Sequence, residues 1–317
     1  MTTAFIFPGQ GSQTPGMGKA LHDAFGAARE VFQEVDDALN QKLSKLIFEG
    51  PEDDLTLTAN AQPALMAVSM AVMRSLEREF GVTVGAAAFA AGHSLGEYSA
   101  LAAVGALTVH DAARLLRIRG DAMQAAVPVG AGAMAALIGK VDVETAEAIV
   151  ADAQAAGVVV VANDNNVGNV VISGEKAAVD AAIAAAKTRG VRAIPLSVSA
   201  PFHSPLMAPA AEAMAAALAE AEIRPFAVPV VANVTARPNS EPGEARKLLV
   251  AQVTGRVRWR ESVAWLAAEG PDGGGVTRFV EVGAGKQLSG MVKRTAPDAA
   301  ALALNEPADL EAFAKGV

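Results

Sequence analysis

The chain has 317 residues, of which 52% are hydrophobic and 19% charged, enough for about two domains at ~100–200 residues each and far from the composition of a disordered chain. A net charge of −8 and only 4% aromatic residues argue against a nucleic-acid partner, which needs a basic face and stacking platforms. The absence of cysteine excludes disulfides, thiolate metal sites and a cysteine nucleophile.

Ala4-Phe5-Ile6-Phe7 reads as a buried strand halted by Pro8-Gly9-Gln10-Gly11-Ser12. No basic region precedes it, so no secretory signal is expected. No run reaches the ~20 continuous apolar residues of a membrane span, and the expected setting is the cytoplasm. Helical patterns follow from Ala20 to Phe48, then a solvated loop over Gly50 to Asp54, then a long helix opened by Gln62-Pro63 and ending near Phe80-Gly81. Ala86 to Ala91 forms a small-residue strand, Gly92 to Gly96 a sharp turn, and a helix starts near Glu97. Repeated strand, turn and helix predict an α/β fold.

Between Ala133 and Val198 the order becomes strand (Met134–Ile138), helix (Val143–Ala156), two strands (Val158–Val161, Val170–Ser173) around an Asn163–Asn166 turn, helix (Glu175–Lys187) and strand (Val191–Val198). This βαββαβ order is that of a ferredoxin-like unit. Beyond it come a helix over Pro209–Glu222, strands at Val228–Val234 and Phe279–Val282, and a final helix after Gly283-Ala284-Gly285. The expected organisation is a discontinuous large domain, residues 1–130 and 199–317, interrupted by a small domain, residues 131–198.

Gly92-His93-Ser94-Leu95-Gly96 matches the G-x-S-x-G nucleophile elbow between a strand and a helix. Its glycines allow the tight turn that lifts Ser94 Oγ, and the helix N-terminus offers N–H groups to an oxyanion. The bland alternative is a serine that only caps the helix. A serine needs a base, and there are four histidines. His22 and His110 read as surface or capping residues, while His93, adjacent to the serine, reads as a pocket residue. His203 lies in the irregular Ser199-Ala200-Pro201-Phe202-His203-Ser204-Pro205 segment between a strand and a helix, where catalytic side chains are commonly presented.

The helix from His110 to Val127 carries an apolar stripe of Ala112, Leu115, Leu116, Ala122, Met123 and Ala126, and Arg119 falls within it. Arg114, Arg117, Asp121 and Gln124 gather on the opposite, solvent side. An inward guanidinium needs a partner: a carboxylate of the chain itself, or one carried by a substrate. The helix alone weighs these equally, and a nearby nucleophile favours the substrate. Arg246, Lys247, Arg256, Arg258 and Arg260 read as a solvated basic face that could also receive an acidic partner. Gly283-Ala284-Gly285-Lys286 lacks phosphate-loop spacing, and no close histidine pair suggests a metal.

Phe7-Pro8-Gly9-Gln10-Gly11-Ser12-Gln13, Gly92-His93-Ser94-Leu95-Gly96-Glu97, Arg119-Gly120, Asn163 to Asn166, Pro201-Phe202-His203, Gln252 and Glu281-Val282-Gly283 occur in this order. Over nearly its whole length the chain thereby resembles the malonyl-CoA:acyl carrier protein transacylases. The resemblance implies an α/β-hydrolase-like large domain with an inserted ferredoxin-like small domain. It implies Ser94 as nucleophile, His203 as base, Arg119 as ligand of the malonyl carboxylate, and the N–H groups of Gln10 and Leu95 as oxyanion hole. Gln252 would orient His203 through its main-chain carbonyl, and Met123, Met134 and Phe202 would join His93 in lining the pocket. The implied reaction is ping-pong transfer from malonyl-CoA to the phosphopantetheine thiol of an acyl carrier protein. Neither metal nor bound cofactor, nucleic acid nor membrane is expected, and the chain is read as a monomer. The rival readings are a serine hydrolase or thioesterase using the same Ser94 and His203, and a non-catalytic acyl-binding scaffold. Against the hydrolase, the usual Ser, then acid, then His order lacks an identifiable acid.

Overall fold

A computed structural model describes residues 1–198 and 200–316. Ser199 and Val317, the ends of the expected second large-domain segment, lie outside the described residues. Strand β1 (Thr3–Phe7) is buried at every position, as its unbroken apolar sequence demands of a strand covered on both faces. It lies between β2 (Phe89–Gly92) and β9 (Arg278–Val282), and the six-stranded sheet is completed by β10 (Ala300–Leu304) beyond β9 and by β7 (Val230–Ala232) and β8 (Arg237–Asn239) beyond β2. All neighbours are parallel except β7 and β8.

Ahead of β2 come α1 (Lys19–Ala24), α2 (Gly26–Leu39), α3 (Leu43–Glu49), α4 (Glu52–Thr56) and α5 (Thr58–Phe80); after it come α6 (Gly96–Ala103) and α7 (Val109–Ala125). The apolar stripes of α2, α5 and α7 meet Phe5 and Phe7 in the largest core cluster. Ala4, Ile6 and Phe279 point to the other face of the sheet, where they pack with Trp259, Leu266 and Val292 from α12 (Trp259–Ala267) and α13 (Gln287–Thr295).

A second sheet contains β3 (Gly132–Ile138), β4 (Val159–Asn166), β5 (Asn169–Glu175) and β6 (Arg192–Pro195), all antiparallel in the order β4-β5-β3-β6. With α8 (Val143–Ala153) and α9 (Lys176–Thr188) this is the expected ferredoxin-like arrangement. Alternation along β3 explains its placement. Ala135 and Leu137 face α8 and α9 in a core of their own, whereas Met134 and Ala136 join the main core, because successive side chains of a strand point to opposite faces. The remaining helices are α10 (Ala208–Glu220), α11 (Pro242–Thr254) and α14 (Pro307–Ala314).

Several boundaries differ from expectation. The loop at Gly50–Asp54 instead enters α4 at Glu52. Helix α5 begins at Thr58, so Pro63 lies inside it; burial of Thr58, Ala61 and Gln62 outweighs the lost N–H. Asn163–Asn166 are not a turn: they continue β4, paired with β5 through two register shifts, and the hairpin reverses at Val167-Gly168. Segment Val84–Ala86 is a short 3-10 turn preceding β2, and β6 stops at Pro195. After α13, which is not the last helix, β10 and α14 follow.

Candidate active site

The parallel ladder between β2 and β7 ends at Ala91, and the chain then turns sharply into α6. A Cβ on Gly92 would collide with the backbone of Gly96, and one on Gly96 with the Phe7 carbonyl, so both ends of the turn require glycine. Ser94 has φ 53°, in the left-handed region that non-glycine residues rarely enter. The Ser94 hydroxyl donates to His203 Nε2 at 2.8 Å, and His203 Nδ1–H donates to the Gln252 main-chain carbonyl at 2.9 Å. A carbonyl can only accept, so Nδ1 holds the proton and Nε2 is free to accept one. Burial, and secondly the nearby charge of Arg119, push the His203 pKa down to about 3; the imidazole is therefore neutral at pH 7.

Arg119 comes from α7, whose start is capped by the Thr108 side chain accepting the Asp111 N–H. A Cβ on Gly120 would strike the backbone of Ala59, so glycine there lets α7 press against α5. Arg119 is only 2% exposed. It donates through Nη1 to Gln62 Oε1 at 2.7 Å, and through Nη2 to Gln252 Oε1 at 2.9 Å and Ser94 Oγ at 3.1 Å. Its Nε–H has no partner among the described residues. The alternative of an internal ion pair is thus not what the site contains: the hydrogen-bond partners are amide and hydroxyl oxygens. Glu97 is close enough for its charge to be felt at Arg119, but burial pushes the Glu97 carboxyl up to about 7.

Ser94, Leu95, Gln10, His93, Arg119, Met123, Met134, Phe202 and His203 all line one cavity of about 400 Å³, bounded on one side by β3 and β5 of the small sheet. Neither the Gln10 nor the Leu95 N–H donates to the backbone or a side chain among the described residues, which leaves both available to an oxyanion. His93 is turned away from Ser94, with its ring against Trp259 and Nε2 at 2.9 Å from Asn165 Oδ1; burial lowers its pKa. Gln252 lies behind the cavity, fully buried. Its side chain, unassigned by the sequence, donates to the Ser94 carbonyl and to Glu97 Oε2.

Asn233 and Gln62 carry no site signal in the sequence, each being an isolated polar residue at a strand end or on an apolar helix face; Asn165 and Glu97 fall within the ordered motifs, but their place in the site is set by partners distant in sequence. The basic set is heavily engaged. Lys247, Arg256, Arg258 and Arg260 pair with Glu244, Glu147, Glu261 and Asp164, and Arg246 donates to the carbonyls of Leu218 and Ala221. Among the described residues no group of three or more His, Asp or Glu is placed to hold a metal ion, and no helix is long and apolar enough to cross a membrane.

A serine on an elbow, a neutral imidazole oriented by a carbonyl and a buried cation facing the hydroxyl, on a mostly parallel sheet, form an α/β arrangement suited to acyl transfer. The chain belongs to the acyl transferase domain family, whose pattern matches residues 4–305, and within it to the malonyl CoA-acyl carrier protein transacylases. It is 46% identical to the malonyl CoA-acyl carrier protein transacylase of Bacillus subtilis (strain 168), over 97% of this chain and 95% of that one. The crystal structure of acyl-carrier-protein-S-malonyltransferase from Bartonella henselae superposes with a TM-score of 0.96 at 54% identity, covering 100% of both chains. A malonyl-transacylase in complex with its type II PKS acyl-carrier protein superposes with a TM-score of 0.94 at 39% identity, again over 100% of both chains.

Proposed function

We propose that this chain transfers a malonyl group from malonyl-CoA to the phosphopantetheine thiol of an acyl carrier protein, through a malonyl ester on Ser94, as a step of fatty acid biosynthesis. One observation carries the reading: a buried guanidinium without a carboxylate partner lies 3.1 Å from the hydroxyl that His203 activates. A substrate that brings both a reactive carbonyl and its own carboxylate completes that site.

Ser94 Oγ attacks the thioester carbon while His203 Nε2 takes its proton. The N–H groups of Gln10 and Leu95 hold the tetrahedral oxyanion. The carbon–sulfur bond breaks, and coenzyme A leaves as the thiol with the proton returned by His203. Arg119 holds the malonyl carboxylate, whose negative charge offsets the field that depresses His203, so the imidazolium forms more readily with malonyl in place than with an uncharged acyl group. In the second half, His203 deprotonates the carrier thiol, the thiolate attacks the ester carbonyl, the carbon–oxygen bond to Ser94 breaks, and His203 returns the proton to Ser94 Oγ. Met123, Met134, Phe202 and His93 shape the walls around the acyl chain.

Residues 1–130 and 199–317 act as the catalytic domain and residues 131–198 as the ferredoxin-like domain, working as a monomer in the cytoplasm and independent of nucleic acid or membrane. Partitioning of the acyl-enzyme tests the reading. After labelling with malonyl-CoA and removal of excess donor, rapid release on adding carrier but not buffer is expected. Equally rapid release to water would make the protein a hydrolase, and absence of label would make it a scaffold.

A further inference from the structure

Asn233, one residue beyond β7 and fully buried, has a side chain that no step above uses. Strands β2 and β7 run side by side, with Ala90 opposite Val230 and Ala91 opposite Val231. Regular pairing toward β7 stops at Ala91, while Gly92 still pairs with Phe7 of β1 before the chain leaves the sheet to present Ser94. The Asn233 carboxamide takes over at that point. Its Nδ2–H donates to the Gly92 carbonyl at 2.7 Å, and its Oδ1 accepts the Ser94 N–H at 2.8 Å. A carboxamide offers the same donor and acceptor as a peptide group, so this one side chain extends the ladder through the turn.

Asn233 is itself fixed from three directions. Its N–H donates to Glu97 Oε2 at 3.0 Å, its Oδ1 also accepts from Gln252 Nε2 at 3.2 Å, and its carbonyl accepts the Arg258 N–H at 3.0 Å. A serine held at φ 53° stays there only while its surroundings over-determine it, and Asn233 joins both ends of the Gly92–Ser94 turn.

We propose that Asn233 is a positioning residue for acyl transfer: its carboxamide holds the Gly92–Ser94 turn so that Ser94 Oγ remains within reach of His203 Nε2. The inference rests on Ser94 being the nucleophile. Glycine residues within the turn permit the conformation, and Asn233 selects it.

The test is single-turnover acylation by malonyl-CoA in Asn233→Ala, well below its melting temperature, with the malonyl-CoA Kd measured separately in the Ser94→Ala background. Acylation is expected to slow on the order of 10²-fold, the scale for a reacting group displaced by ~1 Å, while Kd changes by less than about threefold. A parent-like acylation rate, or a loss confined to Kd, would overturn the proposal. If Asn233→Ala does not fold, Asn233→Asp serves. It keeps the acceptor for the Ser94 N–H but sets an oxygen against the Gly92 carbonyl, so at pH 8 acylation should be at least about tenfold slower with Kd retained; a parent-like rate again overturns it. A parent chain that takes its label elsewhere than Ser94 overturns the nucleophile reading instead, and the role of Asn233 with it.

Discussion

Replacing Arg119 with alanine separates a substrate clamp from a structural cation. The substitution leaves Gln62 Oε1 and Gln252 Oε1 without the donor they now share, and a buried acceptor so orphaned costs about 1–3 kcal/mol. The vacated space opens to the cavity of about 400 Å³, where water can replace the lost donors and hold that cost near its lower end. In the opposite direction, the substitution removes a cation that is 2% exposed and has no carboxylate hydrogen-bonded to it; the desolvation it relieves amounts to several kcal/mol. These terms oppose each other, so the melting temperature of Arg119→Ala should stay within a few degrees of the parent or exceed it. Malonyl transfer behaves differently. Losing a desolvated, charge-assisted pair with the substrate carboxylate costs about 2–5 kcal/mol, or roughly 30-fold to several thousandfold in rate. Acetyl-CoA has no carboxylate to lose, so its labelling rate should hold or rise, and selectivity should reverse. Quenched-flow labelling with both donors, beside a thermal melt, decides the matter. Equal losses for both donors together with a lowered melting temperature would refute the clamp.

His203→Ala should slow acylation by ~10²–10⁴-fold. In the parent, kcat/KM for acylation by malonyl-CoA, which reports the free enzyme, should stay flat from pH 7 to about 5.5, because burial and then the charge of Arg119 hold the His203 pKa at about 3; a tenfold loss per unit setting in near the ordinary histidine value of ~6.5 would contradict this. Glu97, raised from 4.5 to about 7 by burial, keeps its proton more tightly when folded. That stabilisation is fully present below 4.5 and is lost as pH rises through 7, amounting to about 3 kcal/mol. The melting temperature of Glu97→Gln should therefore gain on the parent between pH 5 and 8, and a pH-independent difference would count against the assignment. Arg260→Ala strands the Asp164 side chain, which is 1% exposed and otherwise paired with Arg260. It should destabilise the protein by about 3–5 kcal/mol, and removing both partners with Asp164→Leu should recover most of the loss in thermal melts.

The parts of the site that were legible in the sequence are those whose signal is local. Gly92 to Gly96 announces a tight turn by composition, and Arg119 stands out because a helix of period 3.6 places it among apolar neighbours. Asn163–Asn166 misled for a physical reason. Asparagine favours turns because its side chain bonds to nearby backbone, but here Asp164 pairs with Arg260 and Asn165 with His93, and the backbone stays in β4. Pro63 suggested a helix start, although the Thr58 hydroxyl, bonded to Gln10 and Gln62, ties an earlier turn into the site. Edge strand β10, Ala-Ala-Leu-Ala-Leu, has too little polar alternation to separate it from an alanine-rich helix. Besides their mutual bond, Asn233 and the Gln252 side chain reach the site through partners 133 to 158 residues away in sequence, and no window along the chain contains that information.

The most direct test of the account is a rapid acid quench of the protein with labelled malonyl-CoA, followed by peptide mapping and a chase with the thiol of holo acyl carrier protein. One base-labile malonyl ester per chain is expected, on the peptide containing Ser94, absent from Ser94→Ala and discharged onto the carrier thiol. Malonyl-carrier forming in full from Ser94→Ala, or at a rate faster than the ester appears, would contradict it.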